Sequence, residues 1–251
     1  MTPEHRPRPD GSLREDMRRG CMAVVLCVGT IVLATIIAAS VTSMVFTVAF
    51  GESSGEQHAQ ILTWSGLLTF QVALVAILTA AISNFHSAPM SYILALHRPR
   101  APTSEILSLF ALIVVVVGAY TYLALSFFRE DVLRDLAVFQ ELVRDMPIWL
   151  PIAGLVVGAP VSEELLFRGY LLGRLAETRL GFLRAAIVST FLWTLLHIGY
   201  STVGLFEVFL AGMLFSLALW RTSSLWVPII FHAIYNACVL TVILTMPLSA
   251  S

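Results

Sequence analysis

Three stretches of this sequence place ionisable or amide side chains among residues that are almost wholly apolar. The first is Ser162-Glu163-Glu164-Leu165-Leu166-Phe167-Arg168, the second is Trp193-x-x-x-His197, and the third is His232-x-x-x-Asn236. A charge within hydrocarbon costs roughly 2.5–3.5 kcal/mol on the insertion scale, so such residues need a reason to be there. A carboxylate and an imidazole converging on a water molecule can take its proton and make a nucleophile. A second imidazole, paired with a carboxamide, can stabilise the oxyanion formed when water attacks an amide carbonyl. Hydrolysis of a peptide bond within the membrane fits this set. A chain of carboxylate and histidines could equally relay protons in a transporter, so the residue types alone leave both readings open.

Helical spacing sorts the directions. Glu163 and Glu164 lie about 100° apart around a helix axis and cannot point at one spot. Glu164 and Arg168 are four residues apart in the favourable acid-first order, which predicts an ion pair. Glu163 is then left to face the other groups. His232 and Asn236 share a face by the same spacing, and Trp193 gives His197 an aromatic neighbour. Counted from Arg174, Arg184 and Arg221, the depths of Glu163, His197 and His232 come to about 16, 20 and 16 Å. Pro160 and Pro228 each lack an amide hydrogen, which predicts helix breaks beside Glu163 and His232 and a pocket reaching water. Singly, such polar residues serve as interhelical glue, at about 0.6 kcal/mol per bond. Six of them together, with three helices delivering an ionisable group to nearly one level, point instead to a common site. Glu207, nearer the outer end, reads as structural.

The elements that must carry these residues are membrane helices. Of 251 residues, 58% are apolar and only 12% are charged, against roughly 25% charged in soluble domains. A net charge of −1 offers no basic field for nucleic acid. Cys21, Cys27 and Cys238 have no metal-binding spacing and read as small buried apolar residues. The fold class is all-α, a polytopic transmembrane bundle of about seven helices with room for an eighth. The spans fall near 20–51, 60–82, 106–128, 147–173, 182–198, 205–220 and 225–246. The first is too long for a cleaved signal peptide. Basic and non-basic loops alternate, which predicts a multi-pass protein of the plasma membrane with its amino terminus in the cytoplasm. Trp64, Trp149, Trp220 and Trp226 sit at span ends as interfacial anchors. Residues 129–146 place Val132, Leu136, Phe139 and Val143 on one face, as an amphipathic interfacial helix would. The chain thus divides into a disordered basic tail (1–19), amino-terminal membrane helices (20–128), the interfacial helix (129–146) and a catalytic membrane core (147–246).

The ordered set Glu163-Glu164-x-x-x-Arg168, Trp193-x-x-x-His197 and His232-x-x-x-Asn236 resembles the motifs of the CAAX protease and bacteriocin-processing (CPBP) family. These are the type II CAAX prenyl endopeptidases, also called the Abi family of intramembrane proteases. Phe209-x-x-Gly212 and the string from Arg221 to Ile229 add context, and the resemblance covers roughly residues 147–237. It implies a polytopic endopeptidase in which Glu163 and His197 activate water while His232 and Asn236 polarise the scissile carbonyl. Glu164 and Arg168 would be the supporting pair. Trp193 stands where the family usually has phenylalanine, which preserves an aromatic wall. Family members are often called metalloproteases, and Glu163, His197 and His232 could ligate zinc. There is no HExxH, however, and a metal-free, glutamate-dependent mechanism is favoured. The implied partners are the lipid bilayer and a membrane-associated peptide or protein, of CAAX type or a bacteriocin. A non-catalytic immunity or scaffold protein and a proton-coupled transporter are the rival readings. The composition and short loops suit a prokaryotic membrane.

Overall fold

The computed structural model describes residues 13–50 and 56–245. Every apolar run expected to span the membrane is a helix. In chain order these are α1 (Leu13–Phe50), α2 (Glu56–Phe85), the single turn α3 (Met90–Ile93), α4 (Thr103–Phe127) and α5 (Arg129–Val143), followed by α6 (Trp149–Ala176), α7 (Gly181–His197), α8 (Thr202–Thr222) and α9 (Trp226–Thr245). Six of them (α1, α2, α4, α6, α8 and α9) are long and apolar enough to cross a bilayer, and α7 is a shorter apolar helix. There is no strand among the described residues. The protein is an all-α membrane bundle.

The most enclosed span is α6, in which every residue from Glu164 to Leu172 is buried. It is wound loosely in two places, Ile152–Gly158 and Glu164–Leu172, where the helix is of the π type. Pro160 explains the first. It has no amide to give back to the preceding turns, and the carbonyl of Leu155 accepts instead from Asn236 Nδ2 of α9, at 2.7 Å. The carbonyl of Gly154 accepts from Gln71 Nε2 of α2, at 2.8 Å. Gly158 makes room for that glutamine. A Cβ there would lie 2.8 Å from Gln71 Cδ and 2.9 Å from the Ala153 carbonyl. The carbonyl that Pro160 leaves free therefore meets a side chain of a neighbouring helix.

The break expected at Pro228 does not form. Helix α9 begins at Trp226, so Pro228 lies in the first turn, where its missing amide removes no helical hydrogen bond. The preceding turn is a clasp. Ser223 adopts a left-handed conformation (φ 55°), with its amide on Leu219 O at 2.8 Å. Ser224 Oγ donates to His97 O at 2.5 Å, and the Leu225 amide donates to Ala95 O at 3.0 Å. Arg221 Nε donates to Glu105 at 2.7 Å. The segment Arg221–Leu225 thereby fastens the α8–α9 turn to the loop leading into α4.

At the other end of the bundle, α5 carries the expected amphipathic pattern, but its apolar face is taken up by protein. Leu136, Phe139, Leu142 and Val143 cluster with Trp64, Leu240 and Ile243. Trp64 Nε1 donates to Leu142 O at 3.1 Å, and Gln60 Nε2 donates to Glu141 O at 2.9 Å. Asp135 accepts from the Ser201 amide at 2.9 Å and from Ser201 Oγ at 2.6 Å, while Ser201 caps α8 through the Gly204 amide. Buried polar pairing and apolar area together draw α5 across α2, α8 and α9.

Other expectations are corrected by this packing. Trp64 is only 1% exposed, so it is a core residue bound to α5 and not an interfacial anchor; Trp149, Trp220 and Trp226 are exposed. Cys27 is buried, but Cys21 and Cys238 lie on the exposed faces of their helices. Residues 1–12 of the expected tail lie outside the described residues, while 13–19 form the first turns of α1. The substitution Gly158→Ala forces a methyl against Gln71 and a backbone carbonyl, at an expected cost of about 1–3 kcal/mol. A thermal-unfolding scan in detergent should show a lowered midpoint, whereas Gly118→Ala, which meets nothing within 4 Å, should leave it in place.

Candidate active site

The site is built outward from one ion pair. Glu164 and Arg168 are both fully buried, and Arg168 Nη1 donates to Glu164 Oε1 at 3.0 Å. Two opposite charges so far from water require each other. The Arg168 guanidinium also lies over the ring of Trp193, with Cζ 4.1 Å from its centroid, and 5.8 Å from that of Phe215. Its Nε and Nη2 make no hydrogen bond among the described residues, and the two π faces supply part of the missing stabilisation. Gly212 is what lets α8 come this close. A Cβ there would lie 2.5 Å from Arg168 Nη2, 2.6 Å from Thr190 Cγ2 and 2.8 Å from Trp193 Cε3. Gly212 of the Phe209-x-x-Gly212 string is thus a packing requirement of the ion pair.

Glu164 Oε1 has a second partner that spacing along one helix could not reveal, His232 Nδ1 at 3.0 Å. On α7, His197 Nδ1 lies 3.2 Å from the carbonyl of Trp193, one turn back. An ionised carboxylate and a carbonyl can only accept, so in each histidine the Nδ1 carries the proton. The Nε2 atom of each ring is left without a partner from these contacts. His232 stacks on Phe215 with centroids 5.0 Å apart, and Tyr200 meets His197 edge-on at 5.3 Å.

Glu163 points away from the ion pair. It is half-buried, and its Oε2 accepts from Trp193 Nε1 at 2.5 Å. Trp193 is in fact the common neighbour of every motif. Its ring meets His197 edge-on at 5.2 Å and His232 at 5.5 Å. The structure therefore brings Glu163, His197 and His232, from α6, α7 and α9, around one indole. Asn236 stands one turn beyond His232, half-buried, with one amide hydrogen given to Leu155 O; the other remains. The burial pattern separates two kinds of residue. Glu164, Arg168 and His232 are enclosed, whereas Glu163, His197 and Asn236 are partly open.

One detail differs from the sequence reading. The depth assigned to His232 counted the Arg221–Leu225 turn as helix, whereas only six residues separate His232 from the start of α9 at Trp226; that puts it about 9 Å along the helix. Two cavities, of about 590 and 500 Å³, lie between α1 and α2 and between the α3–α4 loop and α9. Neither is lined by Glu163, His197, His232 or Asn236. Among the described residues, no group of three His, Cys, Asp or Glu side chains is arranged to hold one metal ion. Glu207 lies apart from this group. Its Oε1 accepts from Thr121 at 3.0 Å and Tyr235 at 3.1 Å, tying together α4, α8 and α9.

This arrangement coincides with a known domain. Residues 145–238 match the family profile described as "Type II CAAX prenyl endopeptidase Rce1-like". Over these residues the chain is similar to the CAAX protease family. The match opens just before α6 and closes two residues after Asn236, so it contains all the residues around Trp193. A curated relative, named "Putative membrane peptidase YdiL" of Bacillus subtilis (strain 168), is 24% identical over 124 residues, which are 49% of this chain and 48% of the relative. The aligned segment thus spans about half the length of that relative. No solved structure matches the chain significantly.

The buried pair makes one stability test direct. Arg168→Met leaves the Glu164 carboxylate buried without its cation, at an expected cost of about 3–5 kcal/mol. Adding Glu164→Gln removes the stranded charge, and the double variant should recover a large part of the loss in a thermal-unfolding assay. A single variant as stable as the parent would contradict the assignment of this pair as the centre of the core.

Proposed function

We propose that the protein is an intramembrane endopeptidase that hydrolyses a peptide bond in a membrane-associated peptide or protein. The observation that carries this reading is the meeting of Glu163, His197 and His232 around Trp193, within a domain of the CAAX protease family. Glu163, half-open, takes a proton from water while the free Nε2 of His197 accepts the water's other hydrogen. The water oxygen bonds to the scissile carbonyl carbon, and the carbonyl electrons move onto its oxygen. His232 meets that oxyanion as an imidazolium. Its Nδ1–H is already held by Glu164, whose carboxylate is the counter-charge for the positive ring, and Nε2–H becomes the donor. Asn236 adds its remaining amide hydrogen. Collapse of the intermediate breaks the C–N bond, and Glu163 returns the proton to the leaving amine. No step is routed through a metal.

The substrate is read as CAAX-type or as a bacteriocin-like peptide, and the setting as a prokaryotic plasma membrane with the amino terminus in the cytoplasm. Orientation follows from Arg14, Arg18 and Arg19 at the start of α1 and from Arg174, Arg179 and Arg184 around the α6–α7 turn, all at one end of the bundle. A carboxyl-terminal alkaline phosphatase fusion should be active and a carboxyl-terminal green fluorescent protein fusion dark. The opposite pattern would invert the topology.

Glu163→Ala, purified and still folded, should lose cleavage by at least about a hundredfold, as removal of a general base does. Comparison of the membrane peptides in a deletion strain with those in a strain carrying only Glu163→Ala should show the same uncleaved peptide accumulating in both. A Glu163→Ala strain indistinguishable from wild type would count for the immunity or scaffold reading.

A further inference from the structure

We infer that Trp193 is the positioning residue that sets Glu163 and His197 relative to each other, and that it acts on Glu163 through its indole N–H as well as through its ring. The inference rests on the hydrolase reading for its catalytic consequence, but the contacts behind it are independent of that reading. Both members of the water-activating pair are tied to this one residue: Glu163 Oε2 to Trp193 Nε1 at 2.5 Å, and His197 Nδ1 to Trp193 O at 3.2 Å. The two tethers leave opposite ends of the same residue, one from the side chain and one from the backbone.

The indole itself is immobilised. Trp193 is 3% exposed, and its ring is held under the Arg168 guanidinium at 4.1 Å. It also contacts Phe215 and His232, with centroids 6.4 and 5.5 Å away, and lies over the position where any side chain on Gly212 would intrude. A glutamate side chain alone has three rotatable bonds and many rotamers. Hydrogen bonding to a fixed donor restricts it to the few that keep Oε2 on the indole. The other oxygen is left for water. Any buried tryptophan N–H seeks an acceptor, but satisfying it would not require a half-open carboxylate of the neighbouring helix. Ser162, the next residue back on α6, gives its hydroxyl to Gly158 O at 2.8 Å and is not the partner. The indole N–H thus converts the rigidity of the Arg168 stack into a defined place for Glu163.

Phenylalanine at this position would keep a ring beside Arg168, His197 and His232 and the backbone carbonyl that holds His197, while deleting the donor alone. With a fluorogenic peptide carrying a farnesylated carboxyl-terminal CAAX sequence, W193F should lower kcat about tenfold, the factor expected for loss of one hydrogen bond to a charged group. KM should stay within about twofold, because no substrate contact is removed. A W193F enzyme with wild-type kcat would overturn the inference. The second arm needs no substrate and no folded W193F. In protein labelled with 15N-tryptophan, one of the five indole N–H resonances should move upfield in Glu163→Ala, as a strong acceptor is lost. If none moves, the hydrogen bond does not exist in solution and the inference fails whatever the activity. The parent protein and Glu163→Gln separate the levels: no cleavage by the parent removes the hydrolase reading, full cleavage by Glu163→Gln removes the general-base role of Glu163, and an inactive Glu163→Gln beside a fully active W193F removes only the role given to Trp193.

Discussion

A carboxylate and a guanidinium with no access to water hold the centre of this molecule in place. The pair of Glu164 and Arg168 is costly to bury and far costlier to separate, so every element around it is shaped to keep it intact. Helix α8 gives up a side chain at Gly212 to let the guanidinium in, α7 lays Trp193 flat against it, and α9 brings His232 to the second lone pair of the same carboxylate oxygen. The three helices that carry the chemistry are each registered against this one charge pair. The site therefore inherits its geometry from a stability requirement.

Burial divides the labour between two adjacent carboxylates. Glu164 sits in the low-dielectric interior with its charge matched and its oxygen committed. Glu163, one residue earlier and about 100° around the axis, is half-open and accepts from the Trp193 indole N–H. The first can stabilise a positive histidine; the second is placed to exchange protons with water. Two chemically identical side chains thus acquire different duties from direction and solvation alone.

Much of this was legible in the chain. The spans follow from apolar runs, and the Glu164–Arg168 pair follows from four-residue spacing, because both are local properties of a helix. Contacts between helices were not legible in the same way. That Glu164 also binds His232, that Trp193 donates to Glu163 and that α5 rests on Trp64 depend on the packing of segments far apart in sequence. The break expected at Pro228 is absent because α9 begins only two residues before it, so no helix is yet running for the proline to interrupt. Trp64 was misassigned because a span-end tryptophan has the same sequence context whether lipid or another helix covers it. A buried indole must find an acceptor, and that rule applied to Trp193 would have pointed to a nearby carboxylate without saying which one.

The loose winding of α6 has a consequence for how such chains can vary. A π turn is the place where an α-helix absorbs one extra residue, and Ile152–Gly158 lies immediately upstream of the two carboxylates. Deleting a residue there, with the segment tightening to ordinary α geometry, keeps the rotational phase of everything that follows. In a uniform α-helix the same deletion would turn the two carboxylates by about 100°, the angle that separates the interior from the exterior glutamate. A one-residue change in this short stretch is therefore tolerated, and relatives are best aligned by the phase of the helix, not by the count of residues leading to Glu163.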